Sequence, residues 1–228
     1  MNVKLIGMTA PSPESGCKDA NDLIAYAARV SNPSNQLNTN TAPKLLQYLI
    51  RNQHWSPFEM VSVTMEIRTT RDISRQILRH RSFSFQEFSQ RYADPTKSLD
   101  NVVREARLQD PKNRQNSVES DDEELNAAWQ WRQNEVILTA QRHYEWAIEN
   151  GIAKEQARVI LPEGNIETVL YMAGTLRSWI HYCELRGGHG TQKEHKEIAL
   201  ECWNVIRNNF PDVAEAVEEH YEFPRRPL

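Results

Sequence analysis

Residues 79–91 read Arg-His-Arg-Ser-Phe-Ser-Phe-Gln-Glu-Phe-Ser-Gln-Arg, and no protein interior can hold such a run. Arg79, Arg81 and Arg91, the imidazole of His80 and several hydroxyls and amides surround a single carboxylate, Glu87. Arginine stays protonated in any protein environment, and its planar fork of donors matches phosphate or carboxylate through two parallel hydrogen bonds. With Glu87 the only anion inside the segment, a polyanionic ligand balances these cations better than pairing within the segment does. Phe83, Phe85 and Phe88 are spaced among the polar groups, which suits a stretch anchored on a core with its polar atoms facing a cleft. The chain must therefore build a core that presents this edge to a phosphate-bearing small molecule.

At 228 residues the chain has the length for one large domain or two small ones, and a single domain is expected. Its formal net charge of −4 argues against a general nucleic-acid binder. Three cysteines, Cys17, Cys183 and Cys202, form no CxxC pair, so neither a disulfide framework nor a thiolate zinc site is expected, and a reducing cytoplasm is implied. No apolar run approaches the length of about 20 residues that spans a bilayer. The start, Met1-Asn2-Val3-Lys4, lacks the apolar core of a secretion signal, so a soluble protein with no membrane partner is expected.

Along the chain, residues 3–8 read as an opening strand, 11–16 as a loop and about 20 to 30 as a helix. Pro43 to Arg51 predicts a second helix, with proline in its first turn and Thr41 as its cap. Val61, Val63, Met65 and Ile67 alternate with Ser62, Thr64, Glu66 and Arg68, the period of a strand with one buried face. Thr69 to Leu78 predicts a short helix opened by a Thr69/Asp72 capping box, delivering Gln76 and Arg79 together at its end. Polar composition over 93–122 predicts a flexible loop of the kind that serves as a lid. Over 123–150, Leu125, Trp129, Arg132, Val136, Ala140, His143 and Ala147 recur at helical steps, predicting a long amphipathic helix with His143 at its core face or boundary.

Arg158 stands among apolar residues in Ala157–Pro162 and needs a partner. Val169–Ala173 predicts a strand broken at Gly174, and Leu176–Leu185 a helix with Arg177 and His181 on one face and Arg186 at its end. Gly187-Gly188-His189-Gly190 predicts a flexible turn and matches no phosphate-binding motif. A last helix is expected over 192–209, with Ile198, Cys202, Val205 and Ile206 inside.

Arg79-His80-Arg81, then Ser89 after seven intervening residues, then Gln90-Arg91-Tyr92, closely resembles the signature of the flavin-dependent thymidylate synthases. His54-Trp55-Ser56-Pro57-Phe58-Glu59, Ala157 to Pro162 and Gly174 to Arg186 resemble further segments of that family, over most of residues 20–210. The resemblance implies an α+β single domain, its central, mostly antiparallel sheet wrapped by helices, assembled as a homotetramer with flavin sites between subunits. It implies reductive methylation of dUMP to dTMP, with bound FAD, methylenetetrahydrofolate as carbon donor and NADPH as reductant. The other thymidylate route uses a cysteine nucleophile, whereas all three cysteines here lie outside the polar clusters.

By the same resemblance, Ser56, Arg79, His80, Arg81, Glu87, Thr175, Leu176, Arg177 and His181 hold the flavin, with His54 nearby. Gln76, Ile77, Leu78, Arg79, Glu87, Phe88, Ser89, Gln90, Arg91, Arg158 and Arg186 take the dUMP positions. Arg186 is the expected catalytic group: a cation against the uracil N3/O4 edge stabilises the anion that makes the ring carbon nucleophilic. Ser89 is read as a phosphate or ring contact, since no base is placed beside it as a nucleophile requires. No metal is implied, because His189 and His195 come without further ligands at zinc spacing, and neither is assigned a role. The competing reading is a non-catalytic nucleotide or RNA-binding module that stacks bases on Phe83, Phe85 and Phe88; the acidic balance counts against it.

Overall fold

Strand β1 (Asn2–Met8) opens the chain in the computed structural model, which describes residues 2–221. It is followed by α1 (Ala20–Ala28), α2 (Ala42–Arg51), a 3-10 turn at Ser56–Met60, β2 (Ser62–Thr70) and α3 (Arg71–Ile77). Next come β3 (Phe83–Glu87), α4 (Pro95–Ser98), β4 (Arg107–Gln109), β5 (Ser117–Glu119) and the long α5 (Glu123–Glu149). Helix α6 (Lys154–Ala157), β6 (Glu167–Thr175), α7 (Leu176–Gly187), α8 (Lys193–Asn209) and α9 (Pro211–His220) complete it. The architecture is α+β with an antiparallel sheet of order β1-β2-β6-β3, plus the β4-β5 hairpin in which Arg107 faces Glu119 and Gln109 faces Ser117.

Two compact units make up the chain, and neither is contiguous in sequence. The first takes the chain up to Ile67, then His80–Phe85, then Tyr171 onward; the second takes Arg68–Arg79 and Gln86–Leu170.

In the first unit α2 packs on α9, α7 on α8, and α8 on β1. The alternation read for β2 holds: Val63, Met65 and Ile67 are buried while Thr64 and Glu66 are half-exposed. Trp179, wholly buried on α7, donates its indole N–H to the carbonyl of Val63 at 3.0 Å, so the largest core side chain carries no unmet polar atom. Thr41 precedes α2 but does not cap it, because its hydroxyl accepts a 2.8 Å hydrogen bond from the guanidinium of buried Arg29. Strand β6 runs through Gly174 instead of breaking there, and the missing side chain makes room for a ring: a Cβ at Gly174 would lie 2.4 Å from Cδ1 of Phe83. Pro211–His220, which had drawn no helical expectation, forms α9.

In the second unit Tyr144, Ala147, Ala157, Leu161 and Ile166 form a buried cluster. Helix α5 buries Gln133, Ile137, Ala140, Tyr144 and Ala147, a stripe rotated from the expected one; Leu125, Trp129, Val136 and His143 are exposed. Gln133 explains the rotation. Its amide accepts from the backbone N–H of Arg104 at 3.0 Å and donates to the carbonyl of the same residue at 2.7 Å, so a polar side chain occupies the inner face. Arg104 in turn forks onto the Asp72 carboxylate at 2.8 Å for each contact, and Thr70 donates to that carboxylate at 2.6 Å. Helix α3 therefore starts after Thr70, and Thr69, expected as its cap, ends up inside β2. The 93–122 stretch carries more regular structure than its composition suggested: α4, an antiparallel bridge between Asn101 and Ile166, and the β4-β5 hairpin. At the hairpin turn the Asp110 carboxylate accepts from Lys112 N at 2.8 Å, Asn113 N at 3.1 Å and Asn116 Nδ2 at 3.1 Å, which holds it below the ordinary carboxylate range.

Among the described residues no helix is long and apolar enough to cross a membrane.

Candidate active site

Arg71 and Arg75 stand one turn apart on the same face of α3, and Arg79 follows four residues later in the turn just beyond the helix. Two carboxylates meet the first two. Glu87, at the end of β3, accepts from Ser74 Oγ at 2.9 Å and Thr168 Oγ1 at 3.1 Å, with Arg71 Nη1 and Arg75 Nη1 each 3.7 Å away. Glu163 receives Arg75 Nη2 at 3.1 Å and faces Arg71 Nε at 3.6 Å. Arg75's hydrogen bond, reinforced by the charges of Arg75 and Arg71, pulls the Glu163 carboxyl below its usual range. Arg71 is buried, and its Nε and Nη1 are held at ion-pair, not hydrogen-bond, distance. Glu87 is thus neutralised by α3 and not by the arginines of its own segment, in keeping with the sequence reading that set pairing within the segment aside.

Arg91 has its own carboxylate, Glu155 of α6, at 3.2 Å. Ser89, Arg91 and Tyr92 line an open hollow of about 580 Å³ together with Ala153, Lys154 and Glu155. Arg158, one turn on, points its Nε at the carbonyl of Glu155 at 3.4 Å, which supplies the partner its apolar context demanded. Arg91 thus pairs with the exposed Glu155 carboxylate, Lys154 lines the same hollow and donates to the carbonyl of Tyr92 at 3.1 Å, and Arg158 follows on the next turn, an exposed arrangement that takes up an added phosphate without burying unpaired charge. Gln90 is buried, and its Nε2 has no hydrogen-bond partner among the described residues. Ile77 is fully buried, Leu78 and Phe88 half-buried, and Gln76 sits on α3. All of these belong to the second unit.

The first unit holds the remaining candidates except Arg79, which belongs to the second. Arg186, on the last turn of α7, donates its Nε–H to Nε2 of His80 at 2.9 Å, and its two terminal NH2 groups make no other hydrogen bond among the described residues. An imidazole nitrogen accepts only when unprotonated, so the bond requires neutral His80. Burial, with the Arg186 charge beside it, pushes His80 down to about 4. Behind His80 the Tyr182 ring stands edge-on at 4.9 Å, and the Tyr182 hydroxyl lies 3.1 Å from Nε2 of His195. His195 is fully buried, which together with the charge of Arg186 pushes it to about 3.

On the same helix Arg177 pairs with Glu59 of the Ser56–Met60 turn, and His181 stands edge-on to Trp55 at 4.8 Å. Burial and then the Arg177 charge lower the His181 pKa. Thr175 is the N-cap of α7, its hydroxyl accepting from Ser178 N at 3.3 Å. Leu176 is wholly buried with its N–H already given to the carbonyl of Val61 at 2.8 Å, so it offers a ligand neither side chain nor amide. Ser56, Arg79 and Arg81 are exposed, and among the described residues neither arginine has a carboxylate within ion-pair reach. Exposed, unneutralised guanidiniums of this kind suit the pyrophosphate of a dinucleotide. Cys183 and Cys202 are buried helix residues, and burial drives both thiols far above their ordinary range.

Sequence reasoning passed over Arg71, Ser74, Glu163, Lys154, Glu155, Glu59, Tyr182 and His195. A signal existed for some: the four-residue spacing of Arg71, Arg75 and Arg79, and that of Tyr182 and Arg186. Nothing local pointed to His195, which looked like half of an incomplete metal pair; among the described residues no three His, Cys, Asp or Glu side chains are placed to hold a metal.

The family described as "Thymidylate synthase complementing protein" matches residues 14–212. A flavin-dependent thymidylate synthase of Synechocystis sp. is 50% identical over 227 residues, covering 96% of this chain and 100% of the relative. A "Probable flavin-dependent thymidylate synthase" of Paramecium bursaria Chlorella virus 1 is 49% identical over 218 residues, covering 96% and 99%. Among solved structures, the UMP/dUMP methylase PolB of Streptomyces cacaoi bound with 5-Br dUMP is similar with a TM-score of 0.77 at 26% identity, over 98% of this chain and 97% of that one.

Proposed function

The chain belongs to the thymidylate synthase complementing protein family, and from that premise we propose that it methylates dUMP to dTMP as a flavin-dependent thymidylate synthase. The carbon comes from methylenetetrahydrofolate and the electrons from NADPH. When bound, FAD supplies the hydride chemistry that makes a protein thiolate on the uracil ring unnecessary. The burial of Cys183 and Cys202 agrees with a route that uses no thiol.

One observation carries the assignment of roles: Arg186 is anchored through Nε on a neutral imidazole, with its forked edge unengaged among the described residues. A fork so held can donate to the uracil O4 and N3 edge and stabilise negative charge there without giving up a proton, which is electrostatic catalysis. Arg91 and Arg158, with Lys154 added to the residues read from sequence, would receive the substrate phosphate, and Ser89 supplies a hydroxyl in the same hollow. Gln76, Gln90 and Glu87 would complete the dUMP contacts, Glu87 being braced for it by Ser74, Thr168 and the α3 arginines. Arg79, His80, Arg81, Ser56, Arg177 and His181 would hold the flavin, while Thr175 and Leu176 serve it only by setting the start of α7.

A homotetramer is part of the same reading. Helix α5 exposes Trp131, Leu138 and Trp146 at 56%, 60% and 58%, more apolar surface than one helix ordinarily leaves to water.

The test is direct. Purified protein should be yellow, its flavin band bleached by NADPH in the presence of dUMP, with dTMP formed once methylenetetrahydrofolate is added and a mass near four chains by light scattering. Arg186→Ala should keep the flavin and lose dTMP formation. A colourless protein that binds RNA with steep salt dependence would replace this reading with the binding-module one.

A further inference from the structure

Tyr182 and Arg186 lie four residues apart on α7, so both reach the same imidazole, His80, from one helical face. Arg186 takes its Nε2, and Tyr182 packs edge-on against its ring at 4.9 Å and 84°. The Tyr182 ring has little freedom, because Trp179 and Phe83 stand edge-on to it, each at 5.9 Å. Its hydroxyl is 3.1 Å from Nε2 of His195, which α8 carries and which is fully buried. A phenylalanine facing a leucine would fill such a place with no polar atom to satisfy. The buried hydroxyl and imidazole satisfy each other only in one orientation, and a polar pair of this kind specifies geometry more than it adds stability.

We propose that Tyr182 and His195 are positioning residues for dUMP methylation: through the ring of Tyr182 they fix the His80 imidazole, and through His80 they fix the guanidinium of Arg186. The proposal rests on the assignment of Arg186 as the catalytic cation. The chain His195–Tyr182–His80–Arg186 joins α8, α7 and the His80 loop into one support, and only its last member needs to meet the substrate. That His80 stays neutral down to about pH 4 means the support keeps its hydrogen-bond direction through the physiological range.

The experiment uses the flavin-loaded full chain and compares Tyr182→Phe, His195→Leu and His195→Gln with Arg186→Ala. Tyr182→Phe and His195→Leu should each lower kcat about tenfold, the scale of one lost orienting hydrogen bond in the barrier, with KM for dUMP and flavin absorbance within about twofold. His195→Gln, which keeps an acceptor for the Tyr182 hydroxyl, should recover most of the lost rate. Wild-type kcat in Tyr182→Phe, or a loss confined to KM or flavin content, overturns the proposal. If His195→Leu fails to fold, Tyr182→Phe, one oxygen smaller, decides the question. Inactive Arg186→Ala beside unimpaired Tyr182→Phe removes the positioning role alone, whereas turnover by Arg186→Ala removes the catalytic assignment and this inference with it.

Discussion

Gly174 touches the Phe83 ring so closely that any side chain there must displace it. Phe83 in turn packs on Trp179 at 4.9 Å and on Tyr182, so the displacement would spread into the aromatic layer behind His80. Gly174→Ala should destabilise the fold by about 1–3 kcal/mol, the usual range for overpacking a filled core, read as a lower denaturant midpoint with an unchanged slope. From sequence Gly174 looked like a strand breaker; no local signal distinguishes a glycine that ends a strand from one that makes room for a ring 91 positions earlier. The histidines divide in the same way. His80 was legible inside a dense polar motif, but His143, expected at a core face or its boundary, is exposed, and His195, without an expected role, is fully buried.

At the scale of the element, α7 concentrates the site: its cap is Thr175, its first turn carries Arg177, its middle His181 and Tyr182, its last turn Arg186. Thr175→Ala should cost about 1 kcal/mol through the lost cap, and Thr175→Ser should restore it. Thermal melts of both variants check this. A flavin content that fell in Thr175→Ala and stayed low in Thr175→Ser would instead make the threonine methyl a ligand contact. The bounds of α7 were legible because its helical period is undisturbed, and so was the alternation of β2. The face of α5 was not, since Gln133 on Arg104 places a polar group inward and apolar counting then turns the helix. Helix α3 starts later than its capping box implied for a related reason: Asp72 is taken by Arg104, 32 positions on.

For the molecule as a whole, burying neutral histidines couples stability to acid. His80 and His195 have folded pKa values of about 4 and about 3, below the unfolded value of 6.5, so the unfolded chain binds more protons in between. The stability they contribute is complete above pH 6.5 and is lost as pH falls toward those folded values. At pH 5 the buried His195 alone should account for about 2 kcal/mol, and His195→Gln should flatten the fall of Tm between pH 7 and pH 5. A wild-type Tm that does not change over that interval would contradict the burial of neutral His195.

The amino-acid sequence by itself determined the elements whose periodicity is local, the cation-rich edge from Arg79 to Arg91, and the family those motifs mark. Only the tertiary structure decided which partners the charged and polar groups take: Glu87 with α3, Arg91 with Glu155, Arg186 with a histidine 106 positions away, and His195 with Tyr182. The physical reason is the range of the two kinds of interaction. Apolar periodicity is written within a few turns of chain, whereas a buried charge or imidazole is stable only against a specific partner, and folding is free to bring that partner from anywhere in the sequence.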